Sequence, residues 1–198
     1  MKYLLLIGLF IFSSENGPDW VLKKDKSGIK VFTRSFEGSS FDEFKGVIVI
    51  SDVTLSAALD VVLDVMNYGS LFPECMNPKI LKQYGPYYDI HYIQTKGPFP
   101  IKDRDCVYEQ KAVIDQNGKH ARVSLNPLPD YVAKTKEMIR IRNGSGFWEL
   151  EEDNNKNVKL IYQFHGEPGG DIPSWLANLF VETHPYKTLI NLRIRLGM

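Results

Sequence analysis

Tyr162-Gln-Phe-His-Gly-Glu-Pro-Gly-Gly-Asp-Ile-Pro-Ser-Trp-Leu-Ala-Asn-Leu179 is the stretch that decides the fold. A strand-like run over residues 158–164 stops at Pro168-Gly169-Gly170, and Ile172-Pro173 opens an apolar segment that lasts to Leu196. Pro173 suits a first helical turn, where its missing N–H has no partner to lose. Pro185 lies inside the pattern and predicts a kink or a break there. An amphipathic helix launched by a Gly-Gly turn at the end of a β-rich chain has to lay its apolar stripe on a sheet. Where that sheet curves, the space between the two is a pocket. Trp175, Leu179, Tyr186, Leu189 and Arg193 fall along one stripe, with Leu176, Phe180 and Ile190 beside it. Such a stripe is normally core, and it forms a lid only over a hollow.

Working outward, the upstream sequence supplies the sheet. Apolar and polar residues alternate over residues 29–36, 41–51, 80–84, 87–95, 104–114, 120–125, 137–143, 146–152 and 158–165, which predicts strands. Asp115-Gln-Asn-Gly118 and residues 153–157 read as hairpin turns. Leu55, Leu59, Val62, Leu63 and Met66 recur at helical spacing, so one amphipathic helix is expected from residue 52 until Tyr68-Gly69 ends it. Residues 20–26 read as a short amphipathic piece and residues 71–78 as a connector. The Pro-rich residues 96–102 read as a loop, because proline cannot donate to a central ladder. Strands, one helix, many strands and a long last helix make an α+β chain, with a curved antiparallel sheet wrapped around the C-terminal helix.

The 198 residues suffice for one domain with a sizeable core. Lysine plus arginine equals aspartate plus glutamate at 24 each, so no charge excess points to nucleic acid. The N-terminus is a separate piece. Met1-Lys2 precedes a ten-residue apolar run, residues 3–12, which is too short for a membrane-spanning helix of about 20 residues. Its length fits the apolar region of a secretory signal peptide over residues 1–17, although no Ala-x-Ala cleavage site occurs. That implies an exported protein, periplasmic or secreted. An uncleaved membrane anchor and a buried N-terminal segment are the alternatives. Cys75 and Cys106 permit one disulfide in an oxidising compartment; two small buried thiols is the preferred reading.

Three places resemble the StAR-related lipid transfer (START) domains. Pro98-Phe-Pro-Ile-Lys-Asp-Arg104-Asp105-Cys-Val107-Tyr is similar to the family's proline-rich loop followed by Arg-Asp-Phe-Val. Gly146-Phe-Trp148-Glu-Leu150 resembles its Gly-x-Trp strand, and His165-Gly-Glu167-Pro-Gly169-Gly170-x-Ile172-Pro173-x-Trp175-Leu176-x-Asn178 the opening of its last helix. The resemblance implies a helix-grip fold over residues 19–198 with an internal apolar cavity. It implies a monomer that binds one lipid, sterol or similar ligand, touches membrane surfaces transiently, and needs no cofactor. Residues 95–102 would then help gate the cavity, and Arg104 corresponds to the family's inward-facing arginine. In some members that arginine pairs with a carboxylate on the preceding strand. Here Asp89-Ile-His91-Tyr92-Ile-Gln94 offers His91 or Tyr92 where the acid would lie, with Asp89 nearby. Phe72-Pro-Glu-Cys75 also departs from the tryptophan-containing version common in the family.

Alternation places Arg104, Cys106, Tyr108 and Gln110 on one face of their strand. Asp105, Val107, Glu109 and Lys111 share the other, and their three charges argue that the first face points inward. Arg104, Tyr108 and Gln110 are therefore candidate polar contacts for a ligand, although Arg104 equally suits a structural ion pair with Asp103, Asp105 or Asp89. Tyr162 and Phe164, with Val158 and Leu160, belong to the inward set of the last strand. On the last helix Trp175 and Leu179 complete the candidate ligand-binding set, Trp175 also reading as a plain helix-start anchor. His165 and Glu167 read as turn and capping groups before they read as an acid/base pair. His91, His120, His165 and His184 form no metal-ligand spacing, and neither a nucleophile elbow nor a phosphate-cradling loop occurs. The protein is thus not expected to be an enzyme. The alternative is a cyclase- or aromatase-like helix-grip enzyme using His91, Tyr92 or Tyr108 as acid or base.

Overall fold

A computed structural model describes residues 19–99, 101–170 and 172–198, so the expected signal peptide lies outside the described residues. Ten strands form one sheet. They are β1 Val21–Lys26, β2 Ile29–Arg34, β3 Glu43–Ile50, β4 Cys75–Gly85, β5 Tyr88–Thr95, β6 Arg104–Ile114, β7 His120–Pro127, β8 Ile139–Arg140, β9 Asn143–Glu152 and β10 Val158–Glu167. The order across the sheet is β1-β2-β3-β10-β9-β7-β6-β5-β4, antiparallel throughout, with the two-residue β8 running parallel to the start of β6. Helix α1 Leu55–Leu63, a 3₁₀ turn Val65–Asn67 and the short α2 Tyr68–Leu71 connect β3 to β4. Helix α3 Ser174–Arg195 closes the chain and packs on β2 and β3. This is the expected helix-grip architecture. No helix among the described residues is long and apolar enough to cross a membrane.

Two glycines decide how closely the layers approach. A Cβ on Gly46 would lie 2.9 Å from Leu189 Cδ1 and 3.3 Å from Pro185 Cβ, so the bare backbone of β3 is what lets α3 settle on the sheet. A Cβ on Gly146 would meet Phe164 Cδ2 at 2.6 Å, because the Phe164 ring lies across its strand partner. Two residues along, Trp148 and Tyr162 are also partners, their rings stacked at 4.2 Å. The Gly-x-Trp pattern is thus a floor for the aromatic side chains of β10.

Several boundaries differ from the sequence expectation. The single helix expected to reach Tyr68-Gly69 stops at Leu63, because side chains from outside satisfy its last carbonyls. The Tyr68 hydroxyl lies 2.9 Å from Val62 O and shares its one proton between that carbonyl and Gln110 Oε1, and Arg195 reaches Val61 O and the Asp64 carboxylate. The connector expected before residue 80 is already strand from Cys75, and Pro78 is tolerated there because β4 is an edge strand broken by register shifts. Val21–Lys26, within the short piece expected over residues 20–26, supply the opposite edge strand, β1. The strand expected over residues 137–143 shrinks to Ile139–Arg140. There the buried Arg140 guanidinium grips both oxygens of Asp105 at 2.9 and 2.8 Å and also donates to Pro129 O, Val132 O and Ala133 O. Helix α3 runs unbroken through Pro185. Cys75 and Cys106 are both free thiols.

Replacing Gly46 by valine should lower unfolding stability by about 1–3 kcal/mol through overpacking against Leu189 and Pro185. Gly85→Ala, where an added Cβ meets nothing within 4 Å, serves as the control in the same chemical denaturation series. Equal midpoints for the two variants would contradict the close helix–sheet contact.

Candidate functional site: a cavity under the C-terminal helix

Between the sheet and α3 lies a cavity of about 270 Å³. Its walls are aromatic and aliphatic: Phe44, Phe72, Tyr108, Tyr162 and Phe164 with Ile93, Leu125 and Ile141. Phe180, Val181 and His184 of α3 form the roof. The rim comes from Pro73 to Cys75, the Pro-rich segment around Gly97 and Pro98, and the β10–α3 turn at Glu167 and Pro168. Lower down α3, Leu189 and Leu192 are fully buried in core. The helix is therefore anchored by one half and roofs a hollow with the other.

Of the sequence candidates, Arg104, His91, Tyr108, Tyr162 and Phe164 line this cavity together. Gln110 is fully buried but lies behind the wall, holding Tyr68 and Asp89. Tyr92 lies outside the lining; its hydroxyl bonds Asp105 Oδ2 at 3.3 Å and receives Gln94 Nε2 at 3.0 Å. The side chains of Trp175 and Leu179 lie outside the described set. Asp105, expected on the solvated face, is buried because Arg140 and the segment it organises cover that face. The four arginines 140, 142, 193 and 195 form no joint patch: they go to Asp105, Asp130, Ser27 O and Asp64 respectively. His165 stacks on Phe36 at 3.7 Å.

Arg104 makes none of the ion pairs expected of it. Nε donates to Pro168 O at 3.3 Å, Nη2 to Gly169 O at 3.2 Å and Nη1 to Lys102 O. One guanidinium fork thus clips the Pro-rich segment to the turn that launches α3, and these are the two segments at the rim. Burial pulls its pKa down, and nearby Asp103 pulls it back.

Phe41, Phe44, Phe72 and His184 also line the cavity and were not singled out from sequence. His184 lies one turn after Phe180 on α3, so the helical repeat carried the signal. Its ring stacks on Phe72 at 6.2 Å and 14°. Burial, with a smaller push from Lys187, lowers its pKa from 6.5 to about 4, so it is neutral at pH 7. The remaining polar group is a buried set at the wall. Asp89 Oδ1 lies 2.7 Å from His91 Nδ1, Asp89 Oδ2 accepts from Gln110 Nε2 at 3.0 Å, and Gln110 Oε1 meets the Tyr68 hydroxyl. No cluster of metal-ligating side chains occurs among the described residues.

No family model matches the sequence. The crystal structure of the STAR-related lipid transfer protein from Xanthomonas axonopodis superposes with a TM-score of 0.82 at 34% identity, over 90% of this chain and 99% of that one. The chain belongs to the StAR-related lipid transfer family. An uncharacterized protein of Pseudomonas aeruginosa is 36% identical over 177 residues, 88% of this chain and 85% of that protein. Phosphatidylcholine transfer protein of Rattus norvegicus is 28% identical over 166 residues, 82% of this chain and 76% of its own length.

The lowered pKa of His184 has a signed consequence. Below pH 6.5 the unfolded chain takes up a proton that the folded chain refuses until about pH 4. Stability therefore falls across that window as pH drops. His184→Phe should reduce the difference in Tm between pH 7 and pH 4.5 relative to the parent protein, read by thermal scans. An unchanged difference would contradict a neutral buried His184.

Proposed function

We propose that the protein holds one lipid-like molecule in the cavity beneath α3 and carries it between membranes. The observation that carries this reading is the hollow of about 270 Å³, walled by aromatic rings and roofed by half of a helix whose other half is core. A filled interior would be the default for a chain of this size, since protein cores pack to crystal density. Each CH₂ a ligand buries there contributes roughly 0.8 kcal/mol. The relatives named for lipid transfer and for phosphatidylcholine transfer support the same reading. On this account the protein is a carrier and not a catalyst.

Entry requires the rim to part, which means releasing Lys102 O, Pro168 O and Gly169 O from Arg104. Phe99 is 99% exposed beside that rim and suits transient contact with a bilayer surface. The apolar run after Lys2 suits export, as a cleaved signal or as a retained anchor, and the protein acts as a monomer.

Transfer of a pyrene-labelled lipid from donor to acceptor vesicles tests the reading. Catalytic amounts of protein should accelerate transfer, and the cavity-filling pair Ile93→Trp and Ile141→Trp should abolish it while the circular dichroism spectrum is kept. Arg104→Lys keeps the charge but loses the fork. It should speed ligand exchange roughly 5- to 30-fold, the equivalent of about 1–2 kcal/mol of lost hydrogen bonding. Transfer that persists in the filled variant sinks the carrier reading. Faster exchange at unchanged affinity fits the clip, whereas faster exchange with weakened affinity in Arg104→Lys returns Arg104 to direct ligand contact.

A further inference from the structure

The polar wall of the cavity is a relay of buried side chains with one open end. Asp89 is 4% exposed and Gln110 fully buried. The two Asp89 oxygens are each taken, Oδ2 by the Gln110 amide at 3.0 Å and Oδ1 by His91 Nδ1 at 2.7 Å. Gln110 Oε1 is in turn occupied by the Tyr68 hydroxyl. A carboxylate only accepts, so Nδ1 of His91 carries a proton, and a ring with that one proton has its lone pair on Nε2. His91 is 1% exposed and lines the cavity, and among the described residues no hydrogen bond reaches its Nε2. The relay therefore presents one oriented acceptor to whatever occupies the hollow.

The charge around it is as informative. The other charged lining residues are Glu74, Lys96, Arg104 and Glu167, all on the rim segments. Arg104 has its donors on three backbone carbonyls. His184 is held neutral in the roof, its pKa near 4. The Tyr108 and Tyr162 phenols are uncharged, burial pushing both of their pKa values up. A phosphate or carboxylate drawn past the rim would leave the Lys96 ammonium and the Arg104 guanidinium behind it and would be a buried anion beside Asp89, which is costly. The volume of about 270 Å³ sits just under the range of roughly 300–1,000 Å³ usual for small-molecule pockets, room for one chain or one fused-ring skeleton.

We propose that the ligand is an uncharged, single-chain or fused-ring lipid ending in a hydroxyl, which donates its proton to His91 Nε2. This rests on the carrier reading and narrows it to a head group unlike that of a diacyl phospholipid. Discrimination is then strongest against a ligand of the same shape that lacks the O–H, because such a ligand leaves Nε2 desolvated and unpaired.

The test is displacement of Nile red from the full chain by four competitors: 1-hexadecanol, its methyl ether, hexadecanoate and dipalmitoyl phosphatidylcholine. The alcohol should displace the dye at a concentration about tenfold or more below that of the ether, with hexadecanoate and the phospholipid weaker still. His91→Asn keeps a donor toward Asp89 but places nothing at Nε2; it should bind alcohol and ether equally, with its fold checked by circular dichroism. The comparison of alcohol with ether in the parent protein stands even if that variant fails to fold. Equal displacement by alcohol and ether, or preference for hexadecanoate or the phospholipid, overturns this inference and leaves the carrier reading in place. Displacement by none of the four overturns both.

Discussion

The structure depends on one constraint: a single helix has to be core along one half and roof along the other. Gly46 removes the side chain that would hold α3 away from β3, so Leu189 and Pro185 seat directly on backbone. With that end fixed, the sheet's curvature carries β5, β6 and the ends of β9 and β10 away from the helix. Aromatic rings of Phe44, Tyr108, Tyr162 and Phe164 partly fill the gap, and the remainder is the cavity. Leaving such a space forgoes packing energy, since void-lining atoms lose contacts on one side. The fold tolerates it because Trp148, Leu150, Leu160 and Leu192 close a dense core next to it.

Most buried polar groups then have a partner within the protein, Trp148 Nε1 and His165 Nε2 being exceptions among the described residues. Arg140 and Asp105 neutralise one another outside the cavity wall and tie the irregular segment before β8 to β6. Asp89, Gln110 and Tyr68 hold one another by hydrogen bonds behind the wall, leaving the acceptor on His91 facing inward. Arg104 spends its fork on carbonyls of the two rim segments. One element thus governs closure and another governs what the interior recognises. They meet the cavity at different places, so loss of one is separable from loss of the other.

Much of this was legible in the sequence, and the limits of legibility are physical. The terminal helix, the helix-grip order of elements and the inward set Arg104, Tyr108, Tyr162 and Phe164 follow from periodicity and turn chemistry, which are local. The inward face of β6 was read from alternation, but alternation assigns faces and does not say where along a face the hollow ends. Gln110 shares the face and lies beyond the hollow. Asp105 broke the rule that charged faces are solvated, because Arg140, 35 positions away, covers it. Arg104 was open to a ligand contact or to an ion pair with a nearby aspartate; carbonyls from a turn more than 60 positions distant take two of its donors instead. Helix α1 ended early for the same kind of reason, its last carbonyls meeting Tyr68 and Arg195. The misses at Asp105, Arg104 and the Arg195 end of α1 are long-range partners that single-sequence spacing does not encode.

The central claim is that the space under α3 is built for one molecule. Native mass spectrometry of the purified protein, followed by solvent extraction and identification of any released species, tests it most directly. The account predicts a single added mass per chain, lost on denaturation and recovered as a lipid. A protein mass with nothing added, unchanged after incubation with mixed membrane lipids, would contradict it.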